Sequence, residues 1–428
     1  MYRSGQRDER GRKREKAGKT HDGQKLGKRK RRSNPPRPAQ SGPARLRAAP
    51  LVLERPFPER PAIIQFLARG GSPTTLSGNP EDPIQTWTPQ SPFSAADAAA
   101  WDAYAAGHAG GTVFHSTAWL TILDRSYRRP YHHFAVKEDG RIRGLVSVYR
   151  VRSLSGKKSL YSLPFTAYGG PLADGPEVYR QLHDACLELA RQEGAGMVHW
   201  RNTQPSGLNL PTSDLNVQFS KPLPETEEAC LESIPRKSRA TVRKGMQNHG
   251  LTYTVNRDVD LLWHLHAVNL KKLGTPVFPK SFFRTIMDVM GERADILFAM
   301  HKGKPVAGVM NFYFRDVCNP YFSGSLPESN PTGANNYMYY ALMCHGLKRG
   351  CKRFDFGKSR RGSGSFDFKK NMGFEPQPLP FEFIFNTRSG LPTFNPSNPK
   401  LKLLLEVWSR QPLWTSKLAG PILNRFLP

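Results

Sequence analysis

Apolar positions show no sustained helical or strand period from Met1 to Asp82, where Arg, Lys, Gly and Pro dominate. Such a segment buries too little surface to offset its ordering entropy, so residues 1–82 are expected to be a disordered basic arm. Order is expected to begin near Pro83. Ser94 with Asp97 has the spacing of a capping arrangement opening a helix through Ala105, and Thr117 to Tyr127 reads as a second helix. A strand, tight Gly turn and strand follow in Phe134 to Tyr149, and the same pattern returns in Phe298 to Tyr313.

The flanking pattern repeats too. The first copy continues with a strand at Ser159 to Phe165, a helix at Pro176 to Glu193 and a strand at Met197 to Arg201. The second continues with a strand around Tyr321, a helix at Ala334 to Arg349 and the strand Phe354 to Phe356. Two copies of one element order predict an α/β (α+β) chain of two similar domains, each a mixed twisted sheet flanked by helices. The boundaries drawn are 83–215 and 216–390, followed by an amphipathic helical tail at 391–428.

Between the copies, Ser233 is expected to cap a helix with Pro235 in its first turn and Gly250 at its end. On that helix Arg236, Arg239 and Arg243 fall on one stripe, with Lys237 and Lys244 beside it. The stripe reads either as a solvated face or as a polyanion-binding one.

Charge sharpens this choice without settling it. The formal net charge is +28, and residues 1–50 carry 17 Lys and Arg against 4 Asp and Glu, leaving a surplus of 15 elsewhere. Basic surface in the folded part makes nucleic acid, an anionic membrane or a phosphate-bearing co-substrate plausible partners. With 24 Phe and 7 Trp the chain has material for two cores. Five scattered cysteines without a C-x-x-C pair argue for buried reduced thiols and against a disulfide framework or zinc site. No run approaches the ~20 apolar residues of a spanning helix, so a cytoplasmic protein is expected. The stretch from Asn398 onward reads as two short apolar, basic helices split by prolines, either packed as a cap or lying on the inner face of an anionic membrane.

The chemistry concentrates in Phe354 to Phe374. A strand is expected to run into a Gly-rich loop at Gly357, Lys358, Arg360, Arg361, Gly362 and Gly364, and the loop to open a short helix near Ser365. Backbone N–H groups and a helix N-terminus would there converge on a phosphate, a carboxylate or a developing oxyanion. The spacing matches neither a P-loop nor a dinucleotide fingerprint. Asp355, Asp367 and His345 lie near enough to be weighed as bases, each with an ordinary structural explanation.

Ser233 to Gly250 together with Phe354 to Phe374 resembles the Fem-type aminoacyltransferases, the FemAB family, and within it the branch associated with PEP-CTERM and exopolysaccharide systems. The resemblance covers Pro83 onward. It implies two tandem GNAT (acyl-CoA N-acyltransferase-like) domains and an acyl donor bound in the second. The acceptor it implies is an amine or hydroxyl of a polysaccharide or peptide precursor of the cell envelope. The family's phenylalanine–lysine pair falls on Phe368 and Lys369, the lysine stabilising the charge that builds on the acyl oxygen. Asp355 stands beside them as a third catalytic candidate. Tyr168 and Gly169 resemble an acceptor-side loop. Asn336 and Tyr337 open the helix where a GNAT enzyme binds the pyrophosphate of coenzyme A, but the [QR]-x-x-G-x-[GA] signature is missing. No bound cofactor or metal is expected; the donor, aminoacyl-tRNA or acyl-CoA, is a co-substrate. An acyl-CoA-dependent N-acyltransferase and a non-catalytic module binding RNA or another anionic polymer stay open as alternatives.

Overall fold

A computed structural model describes residues 84–387, 390–391 and 406–427. The basic arm and the stretch from Asn398 to Leu405 lie outside the described residues. Within them the elements run β1 (Ile84–Trp87), α1 (Ala95–Gly107), α2 (Thr117–Tyr127), β2 (Tyr131–Glu138), β3 (Arg141–Arg152), β4 (Lys158–Ser162), β5 (Leu172–Ala173), α3 (Pro176–Glu193), β6 (Met197–Arg201), β7 (Thr212–Ser213) and β8 (Asn216–Pro222). There follow α4 (Glu227–Glu232), α5 (Arg236–His249), β9 (Thr252–Asn256), α6 (Val259–Lys272), α7 (Lys280–Met290), β10 (Ala294–His301), β11 (Lys304–Phe314), β12 (Val317–Ser325) and α8 (Ala334–Lys348). The last are β13 (Arg353–Arg360), α9 (Gly364–Asn371), β14 (Pro376–Pro378), β15 (Phe381–Phe385) and α10 (Leu413–Leu423).

Local signals set several boundaries. Ser94 caps α1 in a capping box with Asp97, its hydroxyl accepting the Asp97 N–H at 3.1 Å. Gly250 ends α5 in the left-handed region at φ 58°. Ser233, expected as the cap of α5, is instead the C-cap of α4, and its hydroxyl donates to the Cys230 carbonyl at 2.8 Å. Pro235, with extended ψ, holds the N-cap position of α5.

The strands form two mixed sheets. The first runs β1-β2-β3-β4-β6-β15-β7 with β5 on β3, and the second β14-β8-β13-β12-β11-β10-β9. The duplication shows in their detail. Each hairpin closes through two residues of positive φ, Asp139 and Gly140 in one, Lys302 and Gly303 in the other, which suits the twist of the flanking strands. Each has a bulge shortly before its turn, at Val136/Lys137 and Ala299/Met300. In each sheet two parallel strands pair over only two residues, β4 with β6 at Leu160↔Val198 and Tyr161↔His199, β12 with β13 at Val317↔Arg353 and Cys318↔Phe354.

Two expectations need correction. The boundary at 215/216 falls between the sheets, but the segment 216–390 does not keep to one of them, because β15 crosses back and pairs antiparallel with β6, Phe383 opposite His199. Nor are there two separate cores. One apolar cluster lies in the first half around Leu182, Val198 and Trp200, and one in the second around Val242, Met338 and Phe354. A third joins the halves: Trp119 packs edge-on to Phe312 at 5.5 Å and Phe282 at 6.4 Å. All five cysteines are buried and unpaired.

Candidate active site

Beyond Cys318 and Phe354 the strands β12 and β13 diverge, and the gap is where the two halves meet. Asn319 spans it by donating to the Asp355 carbonyl at 2.8 Å. Strand β13 bulges between Asp355 and Lys358 against β8, with Gly357 at φ 69°, a conformation for which glycine is the natural residue. Gly357 is therefore part of a bulged strand that continues to Arg360, not of a loop.

The turn itself is Arg361 and Gly362, the latter at φ 70°. Arg361, expected in an anion cradle, instead gives its Nε to the Asp214 carbonyl at 3.0 Å and its N–H to the Leu215 carbonyl at 2.9 Å. Ser363 caps α9: its hydroxyl donates to the Arg360 carbonyl at 2.7 Å and accepts the Phe366 N–H at 3.3 Å. Gly364 is the first helical residue. Ser363→Ala should lower stability by about 1 kcal/mol, read as a shift of the urea midpoint at unchanged slope.

Helix α9 turns Lys369 under the bulge, where it is 9% exposed. Its Nζ donates to the carbonyls of Gly357 at 3.2 Å and Lys358 at 2.9 Å and lies against the rings of Phe356 and Phe219. Burial disfavours the ammonium and brings its pKa down to about 7, opposed by the charge of Asp355. An ammonium has three donors, so two backbone carbonyls leave one N–H for a ligand.

Asp355 is buried, which raises its pKa; hydrogen bonds from Tyr168, the Gly357 N–H at 2.9 Å and Gln218, with the charge of Lys369, work the other way. Tyr168, expected on the acceptor side, is fully buried, and its hydroxyl donates to the Asp355 carboxylate. Burial and the adjacent carboxylate push the Tyr168 phenol upward. Gly169 directs this loop, its N–H donating to the Arg201 carbonyl at 3.1 Å. The structure thus joins Tyr168 to the Asp355 carboxylate, nearly two hundred residues away in sequence, and brings the charge of Lys369 close enough to be felt there.

Two further cations adjoin this group. Lys358 donates to the Thr166 carbonyl at 3.3 Å, and its pKa is driven well down by burial and by the charges of Arg201 and Lys369. Arg201 is buried and donates to the carbonyls of Leu163 and Thr166 at 3.3 and 3.2 Å, while its Nε has no partner. Beside them His199 stacks on Phe383 at 4.4 Å, kept neutral first by burial and then by the charges of Arg201 and Lys358; its Nε2 is also unpartnered. Arg201, His199 and Gln218 were not expected from the sequence. The signal lay in β6, where His199 and Arg201 alternate with Val198 and Trp200 and so share the face turned away from α3.

The remaining candidates are dispersed. Phe368 packs near Tyr339 and Phe356 as an apolar wall. Asn336 contacts the Met372 sulfur at 3.4 Å, and Tyr337 is buried in the second core with its phenol pushed up to about 12. The start of α8 is tightly covered by α5: a Cβ on Gly333 would fall 2.6 Å from Thr241 Cγ2. Arg236, Arg239, Arg243 and Lys244 line a concavity of about 420 Å³ on the outer side of α5, away from the Asp355 group in sequence and element; Lys237 is exposed outside that lining. His345 is a structural residue, bonded to Asp295 at 2.8 Å with Asn311 and Tyr313 on the same carboxylate.

Two sheets, each with a splayed parallel pair and a Gly-turn hairpin, constitute a tandem GNAT fold, and the comparisons agree. Residues 235–370 match the acetyltransferase (GNAT) domain family. Among solved structures, FemX aligns over 68% of this chain and 96% of that one, with 14% identity and a TM-score of 0.55. A tandem GNAT protein from the clavulanic acid biosynthesis pathway aligns over 70% and 97%, with 13% identity and a TM-score of 0.46. A conserved protein of unknown function from Bacteroides thetaiotaomicron VPI-5482 aligns over 68% and 97%, with 12% identity and a TM-score of 0.47. No curated protein matches the sequence. At these identities the likeness to FemX speaks to fold alone.

Proposed function

We propose that the chain is a Fem-type acyltransferase that moves an acyl or aminoacyl group onto an amine or hydroxyl of an envelope polysaccharide or cell-wall-type precursor. The observation that carries this is Lys369, buried under the β13 bulge of a GNAT sheet with one donor to spare and a pKa brought near neutrality. The acceptor nitrogen or oxygen adds to the acyl carbon, and the carbonyl π pair moves onto oxygen. Lys369 as ammonium donates to that oxyanion. Collapse breaks the bond to the donor's ribose oxygen or thiol, which leaves with the proton the acceptor gives up. The Gly357 and Lys358 carbonyls keep the ammonium in place, and the charge of Asp355, itself held by Tyr168 and Gln218, favours its charged form.

The crowded start of α8 supports aminoacyl-tRNA over coenzyme A as the donor, and the Arg236 stripe along α5 offers such a polyanion a surface. Activated donors of both kinds are cytoplasmic, so the enzyme would work there. The acceptor class rests on the resemblance to the PEP-CTERM and exopolysaccharide branch. The test is purified protein with labelled aminoacyl-tRNA or acyl-CoA and an amine acceptor. Transfer from aminoacyl-tRNA supports the reaction and the donor, transfer from acyl-CoA alone replaces the donor, and no transfer from any donor sinks the reading. Asp355→Asn is expected to cut transfer at least tenfold, on the scale of a lost charged partner.

A further inference from the structure

The C-terminal helix α10 is fixed on its inner side. Gly420 lies so close to the chain at Val277 that a Cβ would fall 2.5 Å from the Val277 nitrogen. Asn424 donates to the Val277 carbonyl at 2.8 Å. From the first half, the buried Arg129 guanidinium donates to the carbonyls of Asn424, Arg425 and Leu427 at 3.0, 3.1 and 2.8 Å. These contacts set the helix's rotation as well as its place.

Its outer side is apolar and bare. Trp414, Leu418 and Ile422 fall at i, i+4 and i+8, one face of a helix, and are 67%, 69% and 60% exposed. Five of the nine exposed large apolar side chains among the described residues lie within residues 406–427. Such a concentration marks a surface built to be covered. Its border is basic: residues 406–427 contain Arg410, Lys417 and Arg425 against the single acid Glu406, and of these Arg410 pairs with Glu406 and Lys417 lies over the Trp263 ring beside His264, while Arg425 is exposed. Arg425 also lines a concavity of about 350 Å³ with Arg128 and Arg129.

We propose that this face of α10 seats the protein on an anionic lipid bilayer, with Trp414, Leu418 and Ile422 entering the acyl boundary and the exposed Arg128 and Arg425 meeting phosphate headgroups. The helix has 11 residues, too few to cross a bilayer, and among the described residues no helix is long and apolar enough to do so. A short apolar helix, anchored on one side and bare on the other beside exposed arginines, fits the interface plane instead. A second copy of the chain is a poorer occupant, because a two-fold contact would set identical basic rims against each other.

The experiment is vesicle flotation of the full chain with phosphatidylcholine vesicles, with and without phosphatidylglycerol. Wild type should float with the anionic vesicles, less at raised salt and little with neutral ones. The triple variant Trp414→Ser, Leu418→Ser, Ile422→Ser should partition about tenfold more weakly or worse, with an unchanged thermal midpoint because all three side chains are exposed. Brominated lipid should quench part of the wild-type tryptophan emission, and Trp414→Phe should remove that part. Failure of wild type to bind anionic vesicles overturns the proposal. Undiminished binding by the triple variant also overturns it, by locating lipid contact in another basic segment. A wild-type dimer that the triple variant converts to monomer would assign the face to a second copy.

Discussion

Lys369→Met should leave the protein folded and lower kcat by about 10²–10³, the usual loss for one oxyanion donor. Removing the amine frees two backbone carbonyls, at Gly357 and Lys358, but also ends the burial of a charge, and the two effects on stability oppose each other. The pH profile separates an ammonium donor from a merely structural lysine. With a folded pKa of about 7, the fraction charged falls as pH rises through 7. Transfer to a nucleophile that stays neutral across the range, such as hydroxylamine, should therefore decline above pH 7. A rate that climbs there would assign Lys369 as a base. Stability has the opposite sign: between the folded value near 7 and the unfolded 10.5 the unfolded chain holds more protons, so stability should rise with pH across that window. Lys369→Met should flatten that rise in urea titrations.

Trp119→Ala should lower stability by about 3–5 kcal/mol, and the loss should appear in one cooperative transition. Trp119 is fully buried and touches Phe114 of its own half together with Phe282, Phe312 and Tyr321 of the other. Deleting it opens the shared core rather than either private one. Two calorimetric peaks, one of them unmoved by the substitution, would show that the halves unfold independently. Trp119→Phe should be much milder, since it keeps an aromatic ring and removes an indole N–H that has no hydrogen-bond partner.

The sequence disclosed whatever depends on near neighbours. The capping box at Ser94, the two Gly-turn hairpins and the strand at Met197–Arg201 are written within a few residues, and each was found where it was read. Features that depend on a distant partner were not legible. The bulge at Gly357 exists because β13 pairs with β8, more than a hundred residues earlier. Ser233 has a cap's chemistry at both ends of the α4–α5 junction, and only the extended backbone of Pro235 decides which helix starts where. Tyr168 reads as part of an acceptor-side loop because nothing local reveals that its hydroxyl will meet Asp355. The importance of Lys369 came from resemblance, while its burial came only with the fold.

The return of β15 to the first sheet bears on how the chain is made. Strand β6 has β4 on one side over just two residue pairs, and its other side is closed by Phe381–Phe385. On the ribosome, then, the first half cannot be finished in order of synthesis: Met197–Arg201 waits with an open hydrogen-bonding edge until the entire second half has been translated. A premature stop shortly before Phe381 should be worse than the loss of a tail, because it releases a nascent sheet with a sticky edge. Closure of the first sheet thus waits on the last of the described strands.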